Sequence, residues 1–417
     1  MQRQLYRAIG AIGLTWAAQA GAAVPDAEWE QFKAKFAEME ARVKALEAEN
    51  ARLRQGSTVP VEDLSVLKAD VATLKEQNAS TDWAETIGVA GDFRYRYETI
   101  DVENRDDRER NRIRARVALT AELPSDVEVG FGLSTGGDDP VSGNQTLGNG
   151  NSTKDIALDK AYFKWNATDS LAILAGKYSN PLYRPQKNGL LWDGDWRPEG
   201  VSAQWNSGAL FANFLGNWLE SDSGGDNDAF AWGLQGGARM ALGDASLTAA
   251  LAYFDFPTKG STPFYEDDFF GNSSVDGTYL YDYQLVEASA ELLLAVADMP
   301  LSVYGDFVQN QDADDNDIGW QAGVVLGKVS GWGSWSLAYA YQDLEADAVL
   351  GLLSDSDFAG GGTDGKGHRI GGSMGLTKQW SLGFTWYVDN EAGEVNLADE
   401  GGALSYDRFI IDTMFKY

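Results

Sequence analysis

Residues 380–387 read Trp380-Ser381-Leu382-Gly383-Phe384-Thr385-Trp386-Tyr387. Bulky apolar side chains take every second place, and Ser381, Gly383 and Thr385 fill the gaps. A period of two is the mark of a strand with one apolar face. The pattern recurs where Phe230, Trp232, Leu234, Gly236, Ala238 and Met240 alternate with Ala231, Gly233, Gln235, Gly237 and Arg239. It recurs again where Trp335, Leu337, Tyr339 and Tyr341 alternate with Ser336, Ala338, Ala340 and Gln342. A soluble sandwich would show the same alternation with its apolar set turned inward. The second set here is Gly, Ala, Ser and Gln, which covers a solvated face poorly but suits a wet interior. The reading that follows is an all-β transmembrane barrel, apolar outside and polar in the lumen.

Working outward from these stretches, the period stays at two from near Trp83 to Tyr417, in about sixteen antiparallel segments. An even number is what bacterial single-chain barrels require. Short connections such as Leu123-Pro124-Ser125-Asp126, Asn206-Ser207-Gly208 and Leu242-Gly243-Asp244 alternate with long ones near 136–155, 180–197, 257–279, 345–367 and 390–403. Short turns at one end and long loops at the other are the barrel arrangement. Much of the acidic excess lies in the long loops, as in Glu266-Asp267-Asp268. Trp and Tyr near strand ends fit interfacial girdles.

Composition excludes other classes. Mean hydropathy is negative and no long apolar run follows the first twenty residues, so a helical membrane protein is ruled out. A net charge of -30 leaves no basic surface for nucleic acid. With no Cys, neither a disulfide framework nor a thiolate metal site can form. No cofactor is expected.

The N-terminal end has a different period. Arg3 and Arg7 precede the short apolar run Ala8–Ala18, and the small residues Ala20-Gly21-Ala22-Ala23 follow. Residues 1–23 read as a secretory signal, too short to span a bilayer. Over 24–80 the apolar steps alternate three and four through Trp29, Phe32, Phe36, Met39, Val43, Leu46, Asn50 and Leu53. That is the seam of a periplasmic coiled coil, with a polar Asn50 that would fix register. A helix packed against another element is the plainer alternative. The barrel is expected over 84–417.

Charged residues single out one part of the lumen. Arg94, Arg96 and Glu98 share one face of the first strand; Arg112, Arg114 and Arg116 share one face of the second. A hairpin would put the five arginines on one patch of wall. Facing lipid, each would cost roughly 2–4 kcal/mol at mid-depth, so they face water. They read as a basic ladder lining a pore, or as struts neutralised by lumen carboxylates. An opposing acidic element is expected in the third long connection, Asn180–Arg184 continuing through Leu190-Leu191-Trp192-Asp193-Gly194-Asp195-Trp196-Arg197-Pro198-Glu199. Its Trp, Leu and Pro content predicts that it folds inward and presents Asp193, Asp195 and Glu199 to the arginines.

The stretches Gly91–Arg96, Arg110–Arg116, Gly136–Gly148 and Leu191-Trp192-Asp193 resemble the proteobacterial putative-porin family over nearly the whole chain. The resemblance implies a Gram-negative outer-membrane channel with a signal peptide and an N-terminal helical segment, and a trimer by similarity to general porins. The final strand, with Phe409, Ile411, Phe415 and Tyr417 on one face, resembles the terminal strand that the barrel-assembly machinery reads in outer-membrane proteins. Asp159 and Lys160 break the alternation near 155–165, so a bulge is expected there. The run Asp312–Asp317 begins like a calcium loop but has Asp317 where glycine belongs and Gly323 where glutamate belongs. His368 is the sole histidine and has no nucleophile–base–orienter arrangement in the sequence, so no enzyme is expected. The expected function is passive diffusion of small hydrophilic solutes and ions. A substrate-specific channel and an outer-membrane tether acting through the coiled coil are the alternatives.

Overall fold

The computed structural model describes residues 86–221, 228–397 and 402–417, together with nine positions between 34 and 48. Those nine are helical and exposed. The coiled-coil seam residues Trp29, Phe32, Phe36, Met39, Val43, Leu46, Asn50 and Leu53, and the signal segment, lie outside the described residues. The chain divides into one unit at 1–81 and a second at 82–417. Among the described residues no helix is long and apolar enough to cross a membrane.

The second unit is a closed barrel of sixteen antiparallel strands. We number them β1 (Ile87–Val102), β2 (Arg108–Leu123), β3 (Val127–Thr135), β4 (Ile156–Thr168), β5 (Leu171–Lys177), β6 (Glu199–Ser207), β7 (Leu210–Glu220) and β8 (Ala229–Leu242). The second half is β9 (Ala245–Phe256), β10 (Tyr283–Val296), β11 (Met299–Asn310), β12 (Ile318–Gly327), β13 (Trp335–Leu344), β14 (Gly365–Gly375), β15 (Trp380–Ala392) and β16 (Leu404–Lys416). Each pairs with the next, and β1 pairs with β16 from Asp92↔Lys416 to Val102↔Tyr406. Closure leaves no edge strand, the condition for spanning lipid with a sheet.

The alternation read from the sequence sets which way each side chain points. Trp232, Leu234, Leu337, Tyr339, Leu382, Phe384 and Trp386 lie exposed on the outer wall, while Ala231, Gln235, Ala340, Gln342 and Tyr387 are buried inside. The irregularity expected near 155–165 is present. Gly132 pairs with Lys160 and Leu133 with Leu158, so Asp159 is the extra residue of a bulge. The bulge turns Asp159 inward, where it meets Arg197 at 3.1 Å.

Turns of a few residues close one end of the barrel. The other end carries the long loops L2 (136–155), L3 (178–198), L5 (257–282) and L7 (345–364). The apolar core lies within the barrel at that end rather than between sheets. Leu190, Leu191, Trp192 and Trp196 of L3 meet Val349, Leu350, Leu352 and Leu353 of L7, against wall residues that include Leu215, Phe254, Leu285 and Val308. Trp192 stacks on Trp196 with centroids 4.6 Å apart and meets Phe254 edge-on at 5.1 Å.

Candidate functional site: a strap across the lumen

The β1–β2 register decides the charge pattern of the inner wall. Asp92 lies opposite Arg116, Arg94 opposite Arg114, Arg96 opposite Arg112 and Glu98 opposite Arg110. The two middle rungs oppose like charges, which destabilises a sheet unless other groups neutralise them. Carboxylates arrive from three directions. Asp412 of β16 meets Arg96 at 2.9 Å. Asp357 of L7 meets Arg96 at 2.7 Å and Arg408 at 2.9 Å. Asp195 of L3 meets Arg114 at 2.8 Å and Arg116 at 2.9 Å. Within the wall, Asp92 takes Arg114 and Arg116, and Glu98 takes Arg110 and Arg408. Arg94 donates to Asn144 of L2 at 2.5 Å.

Sequence reasoning missed part of this cluster. Arg110 and Arg408 belong to it, as do the carboxylates of Asp92, Asp357 and Asp412. Parity would have found Arg110, which continues Arg112, Arg114 and Arg116 at steps of two, and Asp92, which precedes Arg94 by two. Arg408 and Asp412 needed the β1–β16 register. Asp357 sits in a long loop and gave no periodic signal.

L3 is anchored on the opposite wall too. Tyr183 donates its backbone N–H to Gln235 of β8 at 2.8 Å, and Gln235 donates back to the Tyr183 carbonyl at 2.9 Å. Asn188 donates to Asp306 of β11 at 2.8 Å, and Gln186 to Glu291 of β10 at 2.5 Å. Between these anchors the loop is braced on itself. Pro185–Lys187 forms a single 3-10 turn, and Arg184 donates to the carbonyls of Asn188 (3.2 Å) and Trp192 (2.5 Å). L3 is therefore a strap, tied by amides to an acidic wall at Tyr183–Asn188 and by Asp195 to the basic wall.

The three acids expected to face the arginines separate. Asp195 does face them. Asp193 does not: it is buried 8% exposed and accepts from the backbone and hydroxyl of Ser356 in L7, both at 3.0 Å. The Asp195 N–H also donates to Asp193 at 2.6 Å, a local turn that aims the two side chains apart. Glu199 begins β6 and pairs with Lys177 of β5, its partner in register, at 2.5 Å. Its ion pair is thus made with the neighbouring strand, and none joins it to the ladder arginines among the described residues.

These environments separate the loop carboxylates electrically. Burial, then the nearby charges of Asp355 and Asp195, push Asp193 up to about 8. Burial acts on Asp195 as well, but Arg114 and Arg116 outweigh it and hold that carboxyl below its usual range. Asp357 follows Asp195, with Arg408 and Arg96 outweighing burial. One strap thus carries a proton-holding acid toward L7 and an ionised one toward the ladder.

L7 lies against the strap. Asp193 donates its N–H to the Leu353 carbonyl at 2.7 Å, and Asp355 donates to the Gly189 carbonyl at 3.1 Å. Asn272 of L5 holds L7 in turn, donating to the carbonyls of Ala346 and Val349 and accepting from Gly351. Outside this assembly, His368 places Nδ1 2.9 Å from the Tyr339 hydroxyl on the strand wall. Among the described residues no group of carboxylates and histidine is placed to hold a metal ion, and Asp312 accepts from the Asp282 N–H at 3.0 Å.

Among solved structures, the chain is similar to Pseudomonas putida OprB in its high-pH structure, with a TM-score of 0.55 and 12% identity over 81% of this chain and 97% of that one. It is also similar to Salmonella typhi OmpF in complex with daunomycin, at a TM-score of 0.49 and 11% identity over 79% of this chain and 97% of that one. A loop L8 deletion mutant of Vibrio cholerae OmpT gives 0.47 and 13%, over 80% and 99%. Likeness at this identity to the first of these speaks for the barrel fold alone. No curated protein matches the chain. The family described as Putative porin matches residues 100–262 and 266–417, which takes in the arginine strand, the strap and the closing strand. The chain belongs to that family.

Proposed function

We propose that the protein is an outer-membrane porin, a water-filled channel through which small hydrophilic solutes and ions diffuse down their gradients. One observation carries the reading: L3 crosses the lumen and is tied to both walls, by Asp195 on the arginine side and by Asn188 on the Asp306 side. A polar strap in a polar lumen is a device for narrowing a passage, and charges fixed beside it give the passage an electrical preference. Polar cavities of about 550 and 400 Å³ flank it on the basic side. Arg94, Arg96, Arg112, Arg114 and Arg116 would set the field there, opposed by Asp195.

The barrel is read as lying among outer-membrane lipid, delivered by the barrel-assembly machinery through its final strand. A homo-oligomer, with the 24–80 coiled coil in the periplasm supporting it, completes the proposal. Current through purified protein in a planar bilayer tests it. Stepwise conductance is expected. A folded, inserted protein that carries no current would overturn the channel reading and favour the tether. Removing residues 24–80 should loosen the detergent-extracted oligomer; an unchanged oligomer would leave the barrel walls as its whole interface.

A further inference from the structure

The arginines at the constriction are mostly matched, and the unmatched positive charge sits one level outward. Beyond the strap, at the long-loop end, a cavity of about 400 Å³ is lined by Arg105, Arg108, Arg110, Arg112 and Arg408, with Asp106, Asp139 and Asp357 as its carboxylates. Asp357 is already engaged by Arg96 and Arg408. Glu98, fully buried beneath the cavity, is engaged by Arg110 and Arg408, each at 2.5 Å. Arg112 is left with that same Glu98 at 3.6 Å, and its buried Nε has no hydrogen-bond partner. Arg105 and Arg108 stand exposed at the rim and form no ion pair among the described residues. Burial holds the Asp139 carboxyl above its usual range. The Ser142 hydroxyl accepts from Asn144 and keeps its own proton to donate.

The neighbouring 550 Å³ cavity has the opposite balance. Its cations Arg116, Lys177 and Arg197 pair with Asp195, Glu199 and Asp159, leaving Asp138, Asp139 and Asp155 in excess. Only the first cavity is built for negative charge. Arg112 lines this cavity with its nearest carboxylate 3.6 Å away, and an oxyanion there would gain charge-assisted hydrogen bonds from a guanidinium that has no closer partner. The rim arginines act over a screening length of about 8–10 Å, enough to draw an anion in.

We propose that this cavity is a recognition site for a small solute bearing a carboxylate or phosphate group, bound on Arg112 and Ser142 and guided by Arg105 and Arg108. Its place in transport rests on the channel reading above; binding itself does not.

The test uses the full-length protein in detergent, titrated calorimetrically with citrate, inorganic phosphate and glucose. Citrate or phosphate should bind and glucose should not, and the response to each anion tells a carboxylate site from a phosphate site. Affinity should fall tenfold or more in Arg112→Gln and at least severalfold in the rim variant Arg105→Gln/Arg108→Gln, which leaves every ion pair of the wall in place. Lys177→Gln, in the other cavity, should bind as the parent does. Equal binding by parent and both arginine variants overturns the proposal, as does glucose binding as tightly as citrate, or no anion binding to the folded protein. In bilayers, citrate on the long-loop side should reduce the current. Citrate binding without any conductance would keep the site and overturn the channel.

Discussion

Arg114 and Asp195, 81 positions apart in sequence, meet in the lumen at 2.8 Å, and Arg114 stands directly across the β1–β2 rung from Arg94. The like-charge rung and the loop carboxylate explain each other. Without Asp195 the wall would hold opposed guanidiniums at low exposure; without the arginines a buried carboxylate in L3 would have no reason to ionise. The strap's position is thus written into strand register as much as into the loop.

Asp195→Asn removes one charge that serves two arginines. Breaking a buried ion pair from one side costs on the order of 3 kcal/mol, and here Asp92 becomes the one carboxylate left to serve both Arg114 and Arg116. The variant should unfold at lower temperature in a heat-modifiability gel and show a larger, noisier single-channel conductance as L3 leaves the wall. Asp193→Asn should not enlarge the conductance in this way, since Asp193 touches Ser356 rather than the ladder. Equal conductance in parent and Asp195→Asn would return the pair to a purely structural role.

The fold was legible because the barrel's two faces differ in kind. Period two, the Gly/Ala/Ser/Gln inner set at Ala231–Arg239 and Ser336–Gln342, and the alternation of turn lengths all derive from local constraints that a sequence displays directly. The same period placed the five arginines on one inner patch. Asp195 could be named because Trp192 and Trp196 flank it and announce a loop that packs. What lay beyond reach was three-dimensional company. L7 carries the apolar run Val349–Leu353 without any period, so its descent onto L3 had no signal. Asp193 and Asp195 look equivalent two residues apart. A local turn sends one to Ser356 and the other to Arg114, and only the folded loop shows which.

Trp192→Ala should detach the strap by a different route. Trp192 is 2% exposed and fills the space between Trp196, Phe254 and Phe256. Removing such a ring costs about 3–5 kcal/mol through lost burial and the cavity left behind. The closed wall should survive, since its strand ladder does not pass through L3. Strand content by circular dichroism should stay level while conductance rises. A collapse of strand content would mean that the loop core, not the wall, holds the barrel shut.

The closing seam gives a test of the wall itself. The Gly91 N–H donates to the Tyr417 carbonyl at 2.9 Å, Tyr417 donates back at 3.1 Å, and the Tyr417 hydroxyl donates to the Arg116 carbonyl at 3.0 Å. A Cβ on Gly91 would overlap the Arg116 carbonyl oxygen and the Tyr417 ring. Gly91→Val should therefore lower the folded, heat-modifiable fraction sharply. Val89→Ile, two residues earlier on the outer face, should leave it unchanged.

Proton occupancy of the strap should make it pH-sensitive. Asp193 is pushed up to about 8 by burial first and then by Asp355 and Asp195, against about 3.9 in an unfolded chain. Below about pH 4 both states hold the proton and the L3–L7 contact has its full strength. From about 4 to 8 the unfolded or detached loop releases its proton while the packed loop keeps it, so the contact weakens steadily with rising pH. Above about 8 both are ionised and the dependence levels off. Asp355, raised by burial and then by Asp357, slopes the same way. Asp195 and Asp357, held low by their arginines, stay ionised across this range. Single-channel current noise from loop motion should therefore rise between pH 5 and 8 in the parent. In Asp193→Asn, where an uncharged amide still offers Ser356 an acceptor, that rise should shrink markedly. Noise that falls with pH in the parent would mean that Asp193 is ionised in the packed loop and that the carboxylates of L3 and L7 are held together by the arginines beneath them.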